Sequence, residues 1–375
     1  MTKKIKLFHI FATFVPGGVQ VRMSTIINSL PEHFHHTIMA MDQRLDARSL
    51  IKDKVSVNCI LPVGEKNSSF FTILKLARII HSLDPDIILT YNWGALNAIL
   101  AAKICHFKKI IHMEAGFRPD EAEGPQKKRR ILIRHFLFRH VSGVIVPSVN
   151  LKGIAENIWR IPRNKIFYIS NGVDCNRFSP GKVREARQGL GIEDEACVIG
   201  TVAHLREEKN LKLLMRSFAG IEAEIPPHLL IIGDGPEKEF LVNLALTIGI
   251  KDRVHFLGHY KDPSQCYQMM DIFALSSKTE QMPVSILEAM ASGLPVLSTD
   301  VGDIRNIVED ENQSFIVPRD NESRYQEALA QLITSEEKRK CLGLKNRQKC
   351  VRKYRHDQMI AAYYNLYKEV LYSSS

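Results

Sequence analysis

Short apolar runs alternate with longer amphipathic segments along this 375-residue chain. The run at 6–14 predicts a strand, and 21–30, where apolar residues recur at helical spacing, predicts a helix. The alternation continues, with strands predicted at 36–41, 55–61, 87–90, 109–112, 142–147, 165–169, 197–203, 228–232, 254–258 and 271–275, and helices at 70–83, 95–105, 148–157, 211–221, 237–248, 325–332, 336–354 and 357–371. Strands that alternate with helices predict parallel sheets with helices on both faces, so the fold class is α/β.

Polar and glycine residues follow several of these strands. Ligands of parallel sheets bind beyond the carboxyl ends of the strands, so the loops after the first, fourth and fifth strands are candidate site loops. Gly17 and Gly18 open a helix, which lets backbone amides approach a phosphate, although a glycine pair also makes turns for structural reasons. His112 and Glu114 could do acid–base work, and the alternative is a polar loop with a satisfied histidine.

A helix start in the second half of the chain carries a more specific signal. Pro283 suits the first helical position, because its missing N–H would be unpaired there. The amides of Val284 and Ser285 would then lack helical acceptors and, with the helix dipole, form an anion site. Glu280 and Glu288 flank this site, which suits a nucleotide-sugar with its diphosphate and hydroxyl-rich rings. The alternative is an ordinary strand–loop–helix with two solvated glutamates.

The wording of this motif resembles a known family. Glu280 and Glu288 are separated by seven residues and followed by Ala-Met-Ala-x-Gly-x-Pro-Val, which resembles the signature of retaining glycosyltransferases of family 4. Family members often have Glu-Gly-Phe-Pro where this chain has Glu-Gln-Met-Pro. The resemblance implies the GT-B fold, with two Rossmann-like domains facing a central cleft. It implies an acceptor domain at 1–172 and a donor domain at 173–356, with a terminal helix at 357–372 crossing back.

The same resemblance implies roles for single residues. Lys209 matches the lysine of the family, while His204 stands where the family has arginine and Arg206 is a substitute for that charge. Relatives have His or Asp at the position of Ala115, so Glu114 becomes the nearest candidate. The implied catalytic residues are Glu280, Lys209, Arg206 and Glu114. The implied donor-binding residues are Gly17, Gly18, His204, Gly233, Leu257, Val284, Ser285 and Glu288. The implied acceptor-side residues are His112, Phe117 and Arg118.

Charge and length limit the partners. The net charge of +10 implies acidic partners such as nucleotide diphosphates, nucleic acid or anionic lipid. Basic and apolar residues mix helically in 126–140, which fits either a helix on the sheet with a solvated basic face or a helix on an anionic membrane surface. The segment lacks the aromatics of nucleic-acid modules, so we expect no nucleic-acid partner. No apolar run reaches membrane-spanning length. Scattered cysteines fit reduced thiols, so we expect a cytoplasmic protein, alternatively one peripheral at the inner face of the membrane.

Metal and cofactor chemistry find little support in the sequence. The seven cysteines are scattered without a Cys-x-x-Cys spacing, which suggests neither a disulfide framework nor a zinc site. No Asp-x-Asp pair occurs at a matching loop. We therefore expect metal-independent catalysis without a cofactor, in which the nucleotide-diphosphate-sugar is a substrate.

These patterns favour one function and leave others open. We expect a retaining hexosyltransferase that moves a sugar from a donor such as a UDP-sugar or GDP-mannose to a glycan or lipid-linked acceptor, in cell-surface polysaccharide or lipopolysaccharide synthesis. A GT-B nucleotide-sugar epimerase or phosphorylase would use the same architecture. A dinucleotide-dependent oxidoreductase is disfavoured, because no Gly-x-Gly-x-x-Gly follows the first strand. A non-enzymatic basic RNA- or membrane-binding protein is the most distant alternative.

Overall fold

The computed structural model describes residues 4–62, 70–117, 121, 126–181, 183–260 and 262–373. Its contacts divide the chain into two compact units. The first unit is Met1–Asn171 together with Met359–Ser375, and the second is Gly172–Gln358. The boundary expected from the sequence lies one residue later, after Gly172.

A parallel sheet forms the centre of the first unit. Its strands are β1 (Ile5–Phe11), β2 (Phe34–Ala40), β3 (Val57–Ile60), β4 (Ile87–Tyr91), β5 (Ile110–Met113), β6 (Gly143–Val146) and β7 (Ile166–Tyr168). Among the described residues the sheet has seven strands in the order β3-β2-β1-β4-β5-β6-β7. Leu7 lies opposite both His36 and Ile87, so both edges of β1 are paired and the strand is internal to the sheet. Every residue of β1 except Lys6 is buried, as expected for a parallel strand that is covered on both faces.

Helices cover both faces of this sheet. They are α1 (Gly18–Ser29), α2 (Phe70–Leu83), α3 (Leu96–Ile104), α4 (Lys128–Phe138) and α5 (Val149–Asn157). The core on one face contains residues of α2, α3, α4 and α5, and the core on the other contains residues of α1. The order of elements is that of a Rossmann-like domain.

The second unit repeats this architecture. Its strands are β8 (Val198–Val202), β9 (His228–Ile232), β10 (Val254–Gly258), β11 (Ile272–Leu275), β12 (Val296–Thr299) and β13 (Ile316–Val317). Its helices are α6 (Arg184–Gln188), α7 (Leu211–Ala219), α8 (Lys238–Thr247), α9 (Ser264–Gln268), α10 (Val284–Ala291), α11 (Ile304–Ile307), α12 (Glu322–Thr334) and α13 (Glu336–Lys353). In the part of the unit that is described, the parallel sheet has the order β10-β9-β8-β11-β12-β13. Because the strand order reverses between β8 and β11, ligands are expected beside the carboxyl ends of these two strands.

The terminal helix α14 (His356–Tyr372) packs on the first unit. Met359, Tyr363, Leu366 and Tyr367 are buried in the core that also contains β1 and α1. Lys109 donates a hydrogen bond from Nζ to the carbonyl of Leu371 at 2.6 Å. The C-terminal helix therefore covers part of one face of a sheet whose strands lie in the first half of the chain.

The predicted elements are confirmed, and most differences are at their ends. Short 3-10 turns also occur, at Asp46–Leu50, Trp93–Ala95, Arg163–Lys165, Glu207–Lys209, Lys251–Arg253 and Asp310–Phe315. The first strand ends at Phe11 rather than at 14. Pro283 is the N-cap of α10, with extended backbone, rather than its first helical residue. Within the described residues, no helix combines the length and apolar character that membrane crossing requires.

Candidate functional site

Two charged side chains meet at the reversal point of the second sheet. Lys209 ends the turn after β8, and Glu280 lies in the loop after β11. The Nζ atom of Lys209 is 2.5 Å from Oε1 of Glu280, and the hydroxyl of Ser277 donates to the same oxygen at 2.9 Å. Both charged side chains keep some exposure, 24% for Lys209 and 13% for Glu280. Both residues were predicted from the sequence to be catalytic, and the fold brings them into direct contact.

A small pocket adjoins this ion pair. It is lined by Lys209, Glu280, the serines 276, 277 and 285, and residues of β8. The Ser276 hydroxyl donates to the carbonyl of Lys209 at 3.0 Å, which fixes the backbone that carries the ammonium group. A lysine ammonium has three hydrogens to donate, so the contact with Glu280 leaves donors for a second, anionic partner.

The start of α10 faces the same pocket through Ser285. The helix begins at Val284, and its first turn contains no acidic side chain. Its first amides have no helical acceptor, so they can bind an anion. The preceding loop is tightly held, because a Cβ on Gly302 would lie 2.5 Å from the carbonyl oxygen of Glu280 and Gly302 has a φ of +59°. Only glycine allows this approach.

Glu288 lies further along α10 and contacts a buried tyrosine. The Tyr267 hydroxyl donates to Oε2 of Glu288 at 2.6 Å. Burial raises the pKa of Glu288 to about 7, while the Tyr267 hydrogen bond and the positive charge of Arg177 act in the opposite direction. Arg177 itself pairs with Asp262 at 2.9 Å, and this contact lowers the pKa of Asp262 to about 2.

The predicted glycine turn after β9 packs against the loop after β8. Gly233 has a φ of +134°, and a Cβ there would lie 1.8 Å from the carbonyl oxygen of Ala203. A ring nitrogen of His204 contacts the carbonyl of Asp234, and the amide of Leu205 donates to that carbonyl at 3.0 Å. His204 and Gly233 therefore support the loop that leads to Lys209.

The predicted catalytic residue Arg206 and the predicted donor-binding residue Leu257 do not line the pocket beside the ion pair. Arg206 is exposed, approaches Glu208 at 3.9 Å and lines a different small pocket from that of Lys209. Leu257 is the inserted residue of a β-bulge, because the ladder between β9 and β10 passes from Phe256 to Gly258. The bulge had no clear signal in the sequence apart from Gly258.

The glycine pair of the first unit stands at the start of α1. Gly17 is the N-cap and Gly18 the first helical residue, and both are exposed. Among the described residues, and apart from its chain neighbours and its own helix backbone, no atom lies within 4 Å of a Cβ added to Gly18. Open backbone of this kind allows a ligand to approach, and its contact with a donor stays a prediction.

Glu114 lies in a buried ionic cluster of the first unit. It is fully buried, and its Oε2 is 3.5 Å from Nε of Arg134. The Arg134 guanidinium also donates twice to Glu121, at 3.3 Å each. Trp93 and Trp159 lie on this guanidinium at 4.8 and 4.9 Å. This environment gives Glu114 a structural contact, so its catalytic role stays a prediction that burial does not favour.

His112 is buried beside the same cluster. Its Nδ1 is 2.8 Å from the Thr90 hydroxyl, and its Nε2 is 3.7 Å from Oε2 of Glu114. Among the described residues, Nε2 of His112 and Oε1 of Glu114 have no hydrogen-bond partner. The alternative of a fully hydrogen-bonded histidine is therefore met at Nδ1 but not at Nε2.

A larger pocket opens next to this cluster and was missed by the sequence reasoning. It has a volume of about 450 Å³. Its lining consists of Ala12, Val19, Asn92, Trp93, Gly94, Ala115, Gly116, Phe117 and Arg134. Phe117 was predicted on the acceptor side, whereas Arg118 lies outside the described residues. Trp93, one of only two tryptophans in the chain, was the available signal.

The basic helix α4 has one buried side and one exposed side, and basic residues occur on both. Arg134 is buried in the ionic cluster, which the sequence pattern did not predict. Leu132 and Phe136, one turn apart, are 55% and 56% exposed. Lys128 and Arg129 are exposed on the same helix. The outer surface therefore combines apolar and basic side chains.

No group of three potential metal-ligating side chains occurs among the residues that the structure describes. Metal independence stays a prediction.

Comparison with known proteins assigns both units to one class of enzyme. The model "Glycosyltransferase Family 4" matches residues 16–177, and "Glycosyl transferases group 1" matches residues 182–349. An uncharacterized glycosyltransferase of Haemophilus influenzae is 32% identical over 306 residues, which cover 76% of this chain and 78% of that protein. The N-acetyl-alpha-D-glucosaminyl L-malate synthase of Bacillus anthracis is 26% identical over 210 residues, covering 56% of this chain and 55% of that one.

Solved structures give the same fold. The Anabaena protein Alr3699/HepE, crystallised with UDP, superposes with a TM-score of 0.83 at 17% identity over 97% of this chain and 100% of that one. The lipopolysaccharide outer core galactosyltransferase WaaB superposes with a TM-score of 0.69 at 20% identity over 98% of this chain and 99% of that one. By sequence alone, an O-antigen biosynthesis glycosyltransferase of Escherichia coli is 27% identical over 143 residues, which cover 38% of this chain and 40% of that protein. The matched region spans little more than half of the length of several curated relatives, 55% to 58%. The two family models and the Haemophilus relative show the family, and the two Rossmann-like sheets match the fold of the solved structures. This chain therefore belongs to the glycosyltransferases with the GT-B fold.

Proposed function

We propose that this chain is a retaining, metal-independent glycosyltransferase that takes a hexose from a nucleotide-diphosphate-sugar and transfers it to a glycan or lipid-linked acceptor. The observation that carries the proposal is the contact of Lys209 with Glu280 beside the start of α10, around one pocket that Ser285 also lines. The retaining outcome rests on the family resemblance of the two glutamates and their spacing.

The chemistry follows from where charge develops. When the bond between sugar and diphosphate breaks, negative charge grows on the leaving phosphate oxygen. The Lys209 ammonium and the amides of Val284 and Ser285 can donate to that oxygen, which stabilises the leaving group. Glu280 orients the Lys209 ammonium through its Oε1, and its second oxygen can accept hydrogen bonds from sugar hydroxyls. Arg206 has a lesser part in this proposal, because it lines a different pocket.

Transfer from a nucleotide-sugar is tested with variants of the ion pair. Lys209→Ala should lower turnover by about a hundredfold or more, the usual loss when a charge-stabilising donor is removed. Glu280→Ala should also lower turnover, because it removes the carboxylate that orients Lys209. Lys345→Ala is the matched control, because Lys345 pairs with Glu311 at the same 2.5 Å on an exposed surface of the same unit. Full turnover of either site variant, with the control also active, would refute the proposal.

The donor and the reaction class are resolved in the same assay. UDP in the complex of the Anabaena relative supports UDP-sugars as the first donors to test, with GDP-mannose beside them. An epimerase would convert labelled donor without releasing nucleotide, and a phosphorylase would need phosphate. The anomeric configuration of the product, measured by NMR, tests retention. The acceptor panel includes lipid-linked glycans and, since a relative is named for it, L-malate.

We also propose that α4 contacts an anionic membrane, which would hold the enzyme at the inner face. The exposed Leu132 and Phe136 beside Lys128 and Arg129 support this contact. Leu132→Ser with Phe136→Ser should reduce cosedimentation with phosphatidylglycerol vesicles. Phe240→Ser is the control, since Phe240 is 49% exposed in the second unit. Equal vesicle binding by wild type and double variant would exclude this contact.

A further inference from the structure

The contact between Tyr267 and Glu288 goes beyond the family signature. Tyr267 lies on α9, outside the motif, and its ring is fully buried. The rings of Phe178 and Phe273 pack against it at 5.6 and 5.8 Å. Its hydroxyl has a fixed direction because the ring has no room to move, and it donates to Oε2 of Glu288 at 2.6 Å.

Glu288 has little else to orient it. No ion pair involving Glu288 is found among the described residues, although Arg177 and Asp262 lie close enough to act on its charge. Arg177 is engaged with Asp262 through two nitrogens at 2.9 and 3.1 Å. The phenol is therefore the group that selects one orientation of the carboxylate.

We propose that Tyr267 is a positioning residue for nucleotide binding: it fixes Oε2 of Glu288 and thereby presents Oε1 to the ribose hydroxyls of the donor. This inference rests on the proposed function, in which Glu288 binds the ribose. A carboxylate offers about four acceptor positions, and the tyrosine occupies one, so the remaining positions can accept both hydroxyls of a ribose.

The test compares ligands with and without those hydroxyls. UDP and 2′,3′-dideoxy-UDP are titrated calorimetrically into wild type, Tyr267→Phe and Glu288→Gln, and GDP with its dideoxy analogue replaces them if UDP does not bind. We expect Tyr267→Phe to weaken UDP binding by about tenfold, the size of a hydrogen bond to a charged group. It should leave the dideoxy ligand unaffected, because that ligand makes no use of Glu288.

The control is a second buried tyrosine whose hydroxyl orients no carboxylate. Tyr325 is fully buried in the same unit, and its hydroxyl has no hydrogen-bond partner among the described residues. Tyr325→Phe should bind both ligands as wild type does. A structural defect in Tyr267→Phe would weaken both ligands equally, which would overturn the inference.

The outcomes also distinguish a failure of the positioning role of Tyr267 from a failure of the proposed ribose binding by Glu288. If Glu288→Gln loses the preference for UDP over the dideoxy ligand while Tyr267→Phe keeps it, Tyr267 has no positioning role and the ribose contact stands. If Glu288→Gln keeps the preference, Glu288 does not bind the ribose and both statements fail. In turnover assays, Tyr267→Phe should raise KM for the donor and leave kcat close to wild type, the pattern of lost ground-state binding.

Discussion

Two buried histidines in the first unit should make its stability depend on pH. Nε2 of His9 is 3.0 Å from Nδ1 of His36, and Nδ1 of His9 is 2.7 Å from the Tyr91 hydroxyl. His9 is 0% and His36 2% exposed. Burial, and for His9 the neighbouring His36, lowers the pKa of His9 well below its ordinary value and that of His36 to about 4.

The sign follows from proton binding. The unfolded chain protonates His36 near its ordinary pKa of 6.5, whereas the folded chain does so only near 4. Between these values the unfolded state binds more protons, so stability is complete above pH 6.5 and falls as the pH drops toward 4. At pH 5 the two pKa values correspond to about 2 kcal/mol of lost stability from His36 alone.

The chain provides a selective assay. Both of its tryptophans, Trp93 and Trp159, lie in the first unit, so urea unfolding followed by tryptophan fluorescence reports that unit. His36→Gln should flatten the decline between pH 7.5 and pH 5 by about 2 kcal/mol, because the amide can still accept from His9 but does not titrate. His81→Gln, at an exposed position of α2, is the control and should keep the wild-type decline. Parallel pH profiles for wild type and His36→Gln would refute the reasoning.

Three further predictions concern single contacts. Arg134→Met should destabilise the first unit by about 3–5 kcal/mol in the same urea assay, because it leaves the buried Glu114 without its cation, while Glu121 keeps Arg130 at 2.9 Å. An unchanged midpoint would contradict the role of the cluster. Gly233→Ala should lower the melting temperature more than Gly191→Ala. Both glycines have a positive φ, but of the two only Gly233 would bring its new Cβ against an atom, the carbonyl oxygen of Ala203. Equal shifts in melting temperature would exclude that clash. Affinity for UDP should fall as the pH drops through about 7, where Glu288 protonates, and Glu288→Gln should remove the part of this dependence that is not due to the phosphate itself.

The sequence predicted the architecture because local patterns decide it. Helix α2 and strands β9 and β10 begin and end where periodicity placed them, at 70–83, 228–232 and 254–258. The contact of Lys209 with Glu280 was also within reach, because both follow strands of a parallel sheet and such strand ends meet.

Contacts between distant residues were out of reach of the sequence pattern. Arg134 looks like any cation of a basic helix, and only the fold brings the rings of Trp93 and Trp159 to 4.8 and 4.9 Å from its guanidinium. Tyr267 likewise looked like a core aromatic, since nothing in its local sequence refers to a carboxylate on α10. The pattern also gave no sign that Glu114 would be fully buried, because a loop after a strand is usually exposed.

The two glutamates of the motif solve an electrostatic problem in different ways. A diphosphate is repelled by any ionised carboxylate nearby, at a cost of about 2 kcal/mol for charges about 8 Å apart at an effective dielectric constant of 20. Glu280 avoids this cost because Lys209 neutralises it at 2.5 Å. Glu288 is held by an uncharged phenol, and its pKa of about 7 leaves it partly protonated at neutral pH. One carboxylate is thus neutralised by a cation. The other, once ionised, can accept two ribose hydroxyls at about 1.5–3 kcal/mol for each hydrogen bond. Because this gain exceeds the repulsion of about 2 kcal/mol, UDP should bind best when Glu288 is ionised.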